Sequence, residues 1–253
     1  MQKMATISPL RGFHVLLLLL SSFSVCTSSL SPALMIAHLP GNLVENLAVR
    51  ANGQILATSS TPSPNVWQID PLRIRDPLLI TTFPGTAGTF GITEVQPDVF
   101  YVATGNITFN GVFASTPAAY SIWKVDMSSF QAPFNNTIVS PAKISKLIDM
   151  PLHAGINGMT SIPVSSAWEL SFLLAADSVN GVVWSISLPV DGQPEVFVGI
   201  NDTTMLPPPP SQGLGINGIK YFNSSIYCKS TLLLDLQILI TPTWNYHLSS
   251  VAH

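Results

Sequence analysis

Short apolar runs separated by turn residues recur along this chain in a fixed order. Residues 54–58 (QILAT), 99–104 (VFYVAT) and 172–177 (FLLAAD) are nearly unbroken apolar runs of strand length. Runs this short between turn signals fit strands buried on both faces better than helices. Each is followed, after a turn, by a phrase of the form W-x-[IV]-[DS]: Trp67-Gln68-Ile69-Asp70, Trp123-Lys124-Val125-Asp126 and Trp184-Ser185-Ile186-Ser187. Each is preceded by a short opening strand, at 45–49, 90–95 and 156–162, and a fourth opener stands at 216–222 with a strand at 225–227 behind it.

The unit therefore reads opener, turn, apolar strand, turn, Trp-bearing strand. The Trp phrases lie roughly sixty residues apart, the length of one four-stranded propeller blade plus loops. Loops are expected at 105–120, 130–150 and 200–213, the last carrying a stiff stretch from Pro207 to Pro210. A β-sandwich also has regularly spaced short strands but would not repeat its sequence. The fold expected is all-β, a β-propeller of the six-bladed type, with three to four blades visible. Residues 229–253 lose the pattern, which predicts an incomplete propeller: a chain cut short, or one ended by an intron translated as protein. The three Trp residues are expected in the blade cores, and Asp177 is expected to accept hydrogen bonds from the turn that follows it.

Composition narrows the function classes. Of 253 residues only 9% are charged and 47% are hydrophobic, with a formal net charge of −3. A globular average is about 25% charged, and nucleic-acid binding needs clustered Lys and Arg, which the chain lacks. Residues 1–28 read as a secretory signal peptide: Lys3 and Arg11 are basic, 13–20 is apolar, and small residues follow. The apolar run is shorter than the roughly 20 residues a membrane span needs. The domain plan is then a leader at 1–28, blades over 29–228 and an atypical tail at 229–253, in a protein of the secretory pathway or the extracellular space. Asn106, Asn135, Asn201 and Asn223 head N-x-[ST] sequons and are candidate glycosylation sites. With Cys26 in the leader, Cys228 is left without a partner, so no disulfide framework is expected. No P-loop, dinucleotide fingerprint, zinc spacing or nucleophile elbow is present.

The phrases Asn157-Gly158-Met159 and Ala176-Asp177-Ser178, with Gly181-Val182-Val183-Trp184 behind them, resemble the six-bladed propellers of the gluconolactonase/regucalcin-like superfamily. The leader, Glu45-Asn46 and Gly215-Ile216-Asn217-Gly218-Ile219-Lys220 are similar to fungal secreted members, a group that includes the hetero-Diels–Alderases of tropolonic sesquiterpenoid pathways.

That resemblance implies a site built from the openers at one end of the central tunnel. The hydrolases of the superfamily hold a divalent cation there on a Glu, two Asn and an Asp. Glu45 and Asn157 match the Glu and the second Asn; the first Asn is replaced by Thr89 or Phe90, and the Asp by Asn217. One carboxylate and two amides make a weak set for a hard cation, and an amide cannot serve as a general base. The chemistry expected is therefore cofactor-free: a cyclisation such as a hetero-Diels–Alder reaction on a small hydrophobic substrate, in meroterpenoid biosynthesis, driven by positioning and hydrogen bonding. The catalytic candidates are Glu45, Asn157, Asn217 and His153, with Asn46, Thr89 and Lys220 binding substrate. A metal-dependent lactonase, with Ca or Zn on Glu45, Asn157 and Asn217, is the first alternative, and a non-catalytic binding propeller the second. A self-contained propeller is expected to be a monomer.

Overall fold

The computed structural model describes residues 34–40, 43–60, 63–73, 75–109, 113–115, 119–133, 136–162, 171–207, 214–230 and 236–239. The leader at 1–28, Asn135 and most of the tail lie outside them. The chain forms two compact units, Met1–Met35 and Ile36–His253. Leu34 and Met35, the described residues of the first, are exposed.

The second unit is a series of antiparallel meanders. The first comprises β1 (Leu43–Val49), β2 (Ile55–Ser60), β3 (Asn65–Ile69) and β4 (Leu78–Thr82), paired in that order. The second begins with β5 (Gly88–Gln96) and β6 (Val99–Gly105). A small hairpin, β7 (Ile107–Phe109) and β8 (Phe113–Ser115), interrupts it. It then resumes with β9 (Ser121–Asp126) and β10 (Lys143–Asp149). The third comprises β11 (Ile156–Ile162), β12 (Ser171–Asp177), β13 (Val182–Leu188) and β14 (Val196–Asn201). The fourth comprises β15 (Ile216–Phe222), β16 (Ser225–Ser230) and β17 (Leu236–Leu239). One residue pair, Ser60 with Gly88, bridges the first two meanders. Successive openers β1, β5, β11 and β15 are spatial neighbours. This is the all-β, incomplete propeller-like fold that the repeat predicts, and the meanders are its blades.

The cores explain the sequence pattern. Three apolar clusters are resolved, and each joins two consecutive blades. Leu56, Phe83, Ile92, Phe100, Val102 and Val125 join the first and second. Tyr101, Ala103, Tyr120, Met159, Leu173 and Ala175 join the second and third. Leu174, Ala176, Val183, Ile216, Ile219 and Ile226 join the third and fourth. Middle strands feed two cores at once: along β6, Val99, Tyr101 and Ala103 face one cluster while Phe100 and Val102 face the other. Period-two alternation between two buried faces gives an unbroken apolar run. Full burial of one such side chain stabilises by about 1.5–3 kcal/mol, so the blades hold one another in place.

Each Trp-bearing strand repeats one contact. Trp67, Trp123 and Trp184 are registered opposite Ala57, Val102 and Ala175. Their indole N–H groups donate to Ser59 Oγ (3.2 Å), Thr104 Oγ1 (3.1 Å) and Asp177 Oδ2 (2.8 Å), always two residues along the neighbouring strand. The Trp residues are blade cores, and the repeat exists in space as well as in sequence.

The structure differs from the sequence expectation in the connections. The stretch 130–150 carries β10, the outer strand of the second blade, and 105–120 carries the β7–β8 hairpin. β10 shifts register between Lys146 and Ile148, which breaks the period-two signal that would have marked it. Part of 200–213 is a single 3₁₀ turn, Thr203–Met205, capped by Asp202. β17 pairs with β16 inside the stretch that reads as patternless.

Candidate functional site

Register fixes which opener residues correspond. Val44, Thr89 and Ile156 pair with Ser59, Thr104 and Asp177; Leu47, Ile92 and Met159 pair with Ala57, Val102 and Ala175. Every opener spends one extra residue between these two pairs, and β15 does the same between Ile216 and Gly218. The extra residue is a β-bulge, a device that bends a strand and re-aims its side chains. Glu45, Phe90, Asn157 and Asn217 each fall in it. The second opener therefore presents Phe90, not Thr89, at the shared position.

Glycines bring these bulges together. A Cβ on Gly91 would lie 2.8 Å from the Asn157 carbonyl, and one on Gly158 would lie 2.5 Å from the Asn217 carbonyl. Only a residue without a side chain lets the neighbouring backbone approach so closely. Phe90, Asn157 and Asn217 thus stand on adjacent strands. Glu45 shares with Phe90 a small cavity of about 110 Å³, lined also by Leu43, Ser60, Ala87, Gly88 and Gly105; Asn157 and Asn217 do not line it.

Among the described residues Glu45 is the only carboxyl in this lining. Among the described residues no cation pairs with it. Burial pushes its carboxyl above the ordinary value, because the charged form loses water that the apolar lining does not replace. Behind Gly105 and Phe90 lies Tyr120. Its ring stacks on Phe90 at 5.6 Å and fills the space a side chain at Gly105 would take. The Tyr120 hydroxyl is buried without a hydrogen-bond partner among the described residues. Burial raises its pKa first, and the charges of Asp177 and Glu45 raise it further, so the phenol stays protonated. Sequence reading missed Tyr120, which stands at the end of a stretch read as a loop. The available signal was Gly105, where the first and third blades carry Ser60 and Ser178.

The other candidates are placed as follows. Asn46 uses its main chain: its N–H donates to Thr58 Oγ1, whose own proton goes to the Phe90 carbonyl at 2.6 Å, with the Asn46 carbonyl farther off at 3.3 Å. The Thr89 hydroxyl is buried and committed to backbone: its one proton is shared between the Ser59 and Asn65 carbonyls, both at 2.8 Å, and it accepts from Ser59 N–H at 2.9 Å. His153 is exposed in the turn before β11 at a φ of 64°, and its carbonyl accepts from Asn180. Lys220 is exposed, three residues past Asn217. Asp177 accepts from Gly155, Val179 and Asn180 N–H, from the Asn180 amide and from Trp184. That carboxylate fastens a turn. Of the sequons, Asn201 and Asn223 are exposed, and Asn106 accepts from Ala87 N–H. The Cys228 thiol is buried and pushed up to about 12, which leaves it inert.

The donor set does not suit a hard cation. It offers one carboxylate, itself in an apolar pocket, and two amides. Among the described residues no three His, Cys, Asp or Glu side chains converge. A second, polar groove of about 310 Å³ lies beyond the Thr86–Gly105 hydrogen bond, lined in part by Trp123, Ser121, Lys146 and Asp149. Its polar groups satisfy one another: Lys146 and Ser121 both donate to Asp149 at 2.6 Å.

Comparison with known proteins adds the following. No family model matches the chain. A curated relative from Phoma sp., named "Putative hetero-Diels-Alderase", is 30% identical over 141 residues, covering 54% of this chain and 37% of that protein. The match thus spans little more than a third of the relative's length. Among solved structures, a nidogen/laminin complex aligns with a TM-score of 0.47 at 13% identity, over 77% of this chain and 74% of that one. A computationally designed protein, Ika8, aligns with a TM-score of 0.30 at 8% identity, over 82% and 74%. Among the described residues no helix is long and apolar enough to cross a membrane.

Proposed function

We propose that the chain acts in a cyclisation of the hetero-Diels–Alder type, in fungal secondary metabolism, with Glu45 as hydrogen-bond donor to the substrate. The observation that carries this reading is Glu45 itself, a carboxyl shifted toward its neutral form in an apolar pocket, with no cationic partner among the described residues. A neutral carboxylic acid donates one hydrogen bond and adds no charge. Aimed at a carbonyl conjugated with an alkene, it draws electron density to oxygen and lowers the barrier to cycloaddition.

The reaction needs little else. Two σ bonds form and one new π bond remains from three, with no atom gained or lost and no redox change. Holding diene and dienophile in one pose removes much of the entropic barrier. A cavity of about 110 Å³ takes the reacting carbonyl end and leaves the rest of the substrate outside its open mouth. Asn157 and Asn217, in the third and fourth bulges, are the amides at the position equivalent to Glu45. The similarity to the Phoma sp. protein supports the same reaction class. The basic-then-apolar leader and the exposed sequons at Asn201 and Asn223 support a route through the secretory pathway.

The test is metabolite profiling of the source strain without this gene, with the wild-type gene or its Glu45→Ala variant returned. Uncyclised precursor, or solvent adducts of a reactive alkene, should accumulate in the deletion and in the variant and vanish with the wild type. An intact lactone whose opened acid is missing would instead establish a hydrolase.

A further inference from the structure

The second blade departs from the repeat in its outer strand. In register, Trp67 faces Leu79 and Trp184 faces Val198, but Trp123 faces Lys146, and Ser121 faces Asp149 beyond it. Lys146 and Asp149 are exposed at 45% and 63%. An exposed ion pair adds little to stability, so the fold alone does not account for a charged pair where the other blades place apolar residues. Beside it lies the groove of about 310 Å³ between Trp123 and the wall at Pro84 and Thr86, at the lower end of the roughly 300–1,000 Å³ of ligand sites. The blades on both sides of the second are described, so this groove is not an end face of the series.

The lining is amphipathic. The Trp123 indole is fixed by its N–H bond to Thr104 Oγ1 at 3.1 Å and backed by Phe83, with ring centroids 5.4 Å apart. At the rim, the bonds from Lys146 and Ser121 hold the Asp149 carboxyl below its ordinary value, so it stays charged. Two accepted bonds leave lone pairs on that carboxylate for further donors. An indole beside fixed donors and acceptors suits a ring with a C–H face and a hydroxylated edge, which is a sugar. An attachment point for one stands at the end of the groove. Thr104 lines the groove, and side chains two residues apart in extended chain share a face. Asn106 therefore emerges on that side, and it heads the sequon Asn106-Ile107-Thr108. Its side-chain oxygen accepts from Ala87 N–H at 2.5 Å, next to Thr86 of the groove wall. An N–H donor selects the amide oxygen, so the amide nitrogen, the atom that bears an N-linked glycan, is turned away from that bond.

We infer that Asn106 carries an N-linked glycan whose first N-acetylglucosamine lies in this groove, its C–H face on Trp123 and its hydroxyls on the Lys146–Asp149 pair. The sugar then fastens the outer strand of the second blade to the segment that follows β6. The inference rests on the secretory route proposed above, and it is independent of the chemistry proposed for Glu45.

The full-length chain is expressed in a yeast secretory host, and occupancy of each sequon is read by peptide mass spectrometry. Asn106 should be occupied. A peptide N-glycanase should release its glycan from the folded wild type at least about tenfold more slowly than from folded Lys146→Ala, because a seated sugar must leave the groove before cleavage. Lys146→Ala should keep the wild-type circular dichroism, since an exposed pair contributes little to the fold. Thr108→Ala removes the sequon but keeps Asn106 and its bond to Ala87; it should lower the melting temperature by about 2–4 °C. Thr108→Ser keeps a sequon and should hold the wild-type value. A glycan at Asn201 or Asn223 with Asn106 bare overturns the inference and leaves the secretory route standing. Bare asparagine at every sequon overturns both. Equal release from wild type and Lys146→Ala, or a melting temperature unchanged in Thr108→Ala, overturns the seat in the groove.

Discussion

Glu45 and Tyr120 are two oxygen acids on either side of one pocket wall, both with raised pKa values, and they lead to opposite predictions. For Glu45 the folded pKa is raised. The native state therefore binds more protons than the unfolded state between the ordinary carboxyl value and the raised one, and stability falls as pH rises through that window. Glu45→Gln should abolish this decline in pH-dependent chemical denaturation. The amide still donates a hydrogen bond, so the variant should hold its cyclisation rate as pH rises through the raised Glu45 titration, where wild type loses its proton and slows. Glu45→Ala removes the donor and should lose about a hundredfold in rate. For Tyr120 the buried hydroxyl has no partner among the described residues. Tyr120→Phe removes an unpaid desolvation cost and should raise stability by about 1 kcal/mol, read as a higher denaturation midpoint at unchanged slope. A loss of stability would show that the phenol holds an internal water or a ligand.

The site was legible in the sequence only where the repeat carried it. Glu45, Asn157 and Asn217 stand at one position of a recurring phrase, and the bulge that re-aims them recurs in the pairing of every opener. Phe90 at that position needed the register to separate it from Thr89, because the bulge moves one residue across the strand. Tyr120 matters only because Gly105 makes room for it, a contact between residues on different strands that no periodicity records.

At the scale of the element, strands were legible according to how many faces they bury. The middle strands β2, β6 and β12 are buried almost throughout because both faces pack, and each carries an apolar run with no period-two break. The outer strands β4, β10 and β14 are half exposed, and each joins its neighbour across a register shift, so period two fails in them. One junction is also held by charge. Arg50, 5% exposed at the end of β1, makes two hydrogen bonds of 2.9 Å to Asp98 in the β5–β6 turn, and it donates to Gln68 at 2.7 Å. Its guanidinium lies 5.8 Å from the Phe130 ring. This ties the first blade to the second at the end of the strands remote from the bulges. Arg50→Met leaves Asp98 without its fork of donors and should cost about 3 kcal/mol, measured by denaturant unfolding. A change under about 0.5 kcal/mol would mean that the pair acts as an exposed one.

At the scale of the whole molecule, each core lies between blades, so a blade alone has no complete core. The same arrangement sets the bulges of successive openers side by side, and the pocket at Glu45 depends on the first two blades docking. Function in this account is a property of neighbouring openers, not of any one blade. The most direct measurement adds the purified protein, dialysed and without cofactor, to an extract of the strain that lacks the gene. The account predicts that the accumulated precursor is consumed and that a cyclic product appears with the summed mass of its reacting parts, at a rate that falls about a hundredfold with Glu45→Ala. A product heavier than its precursor by one water, or consumption that is equal with and without Glu45, would contradict it.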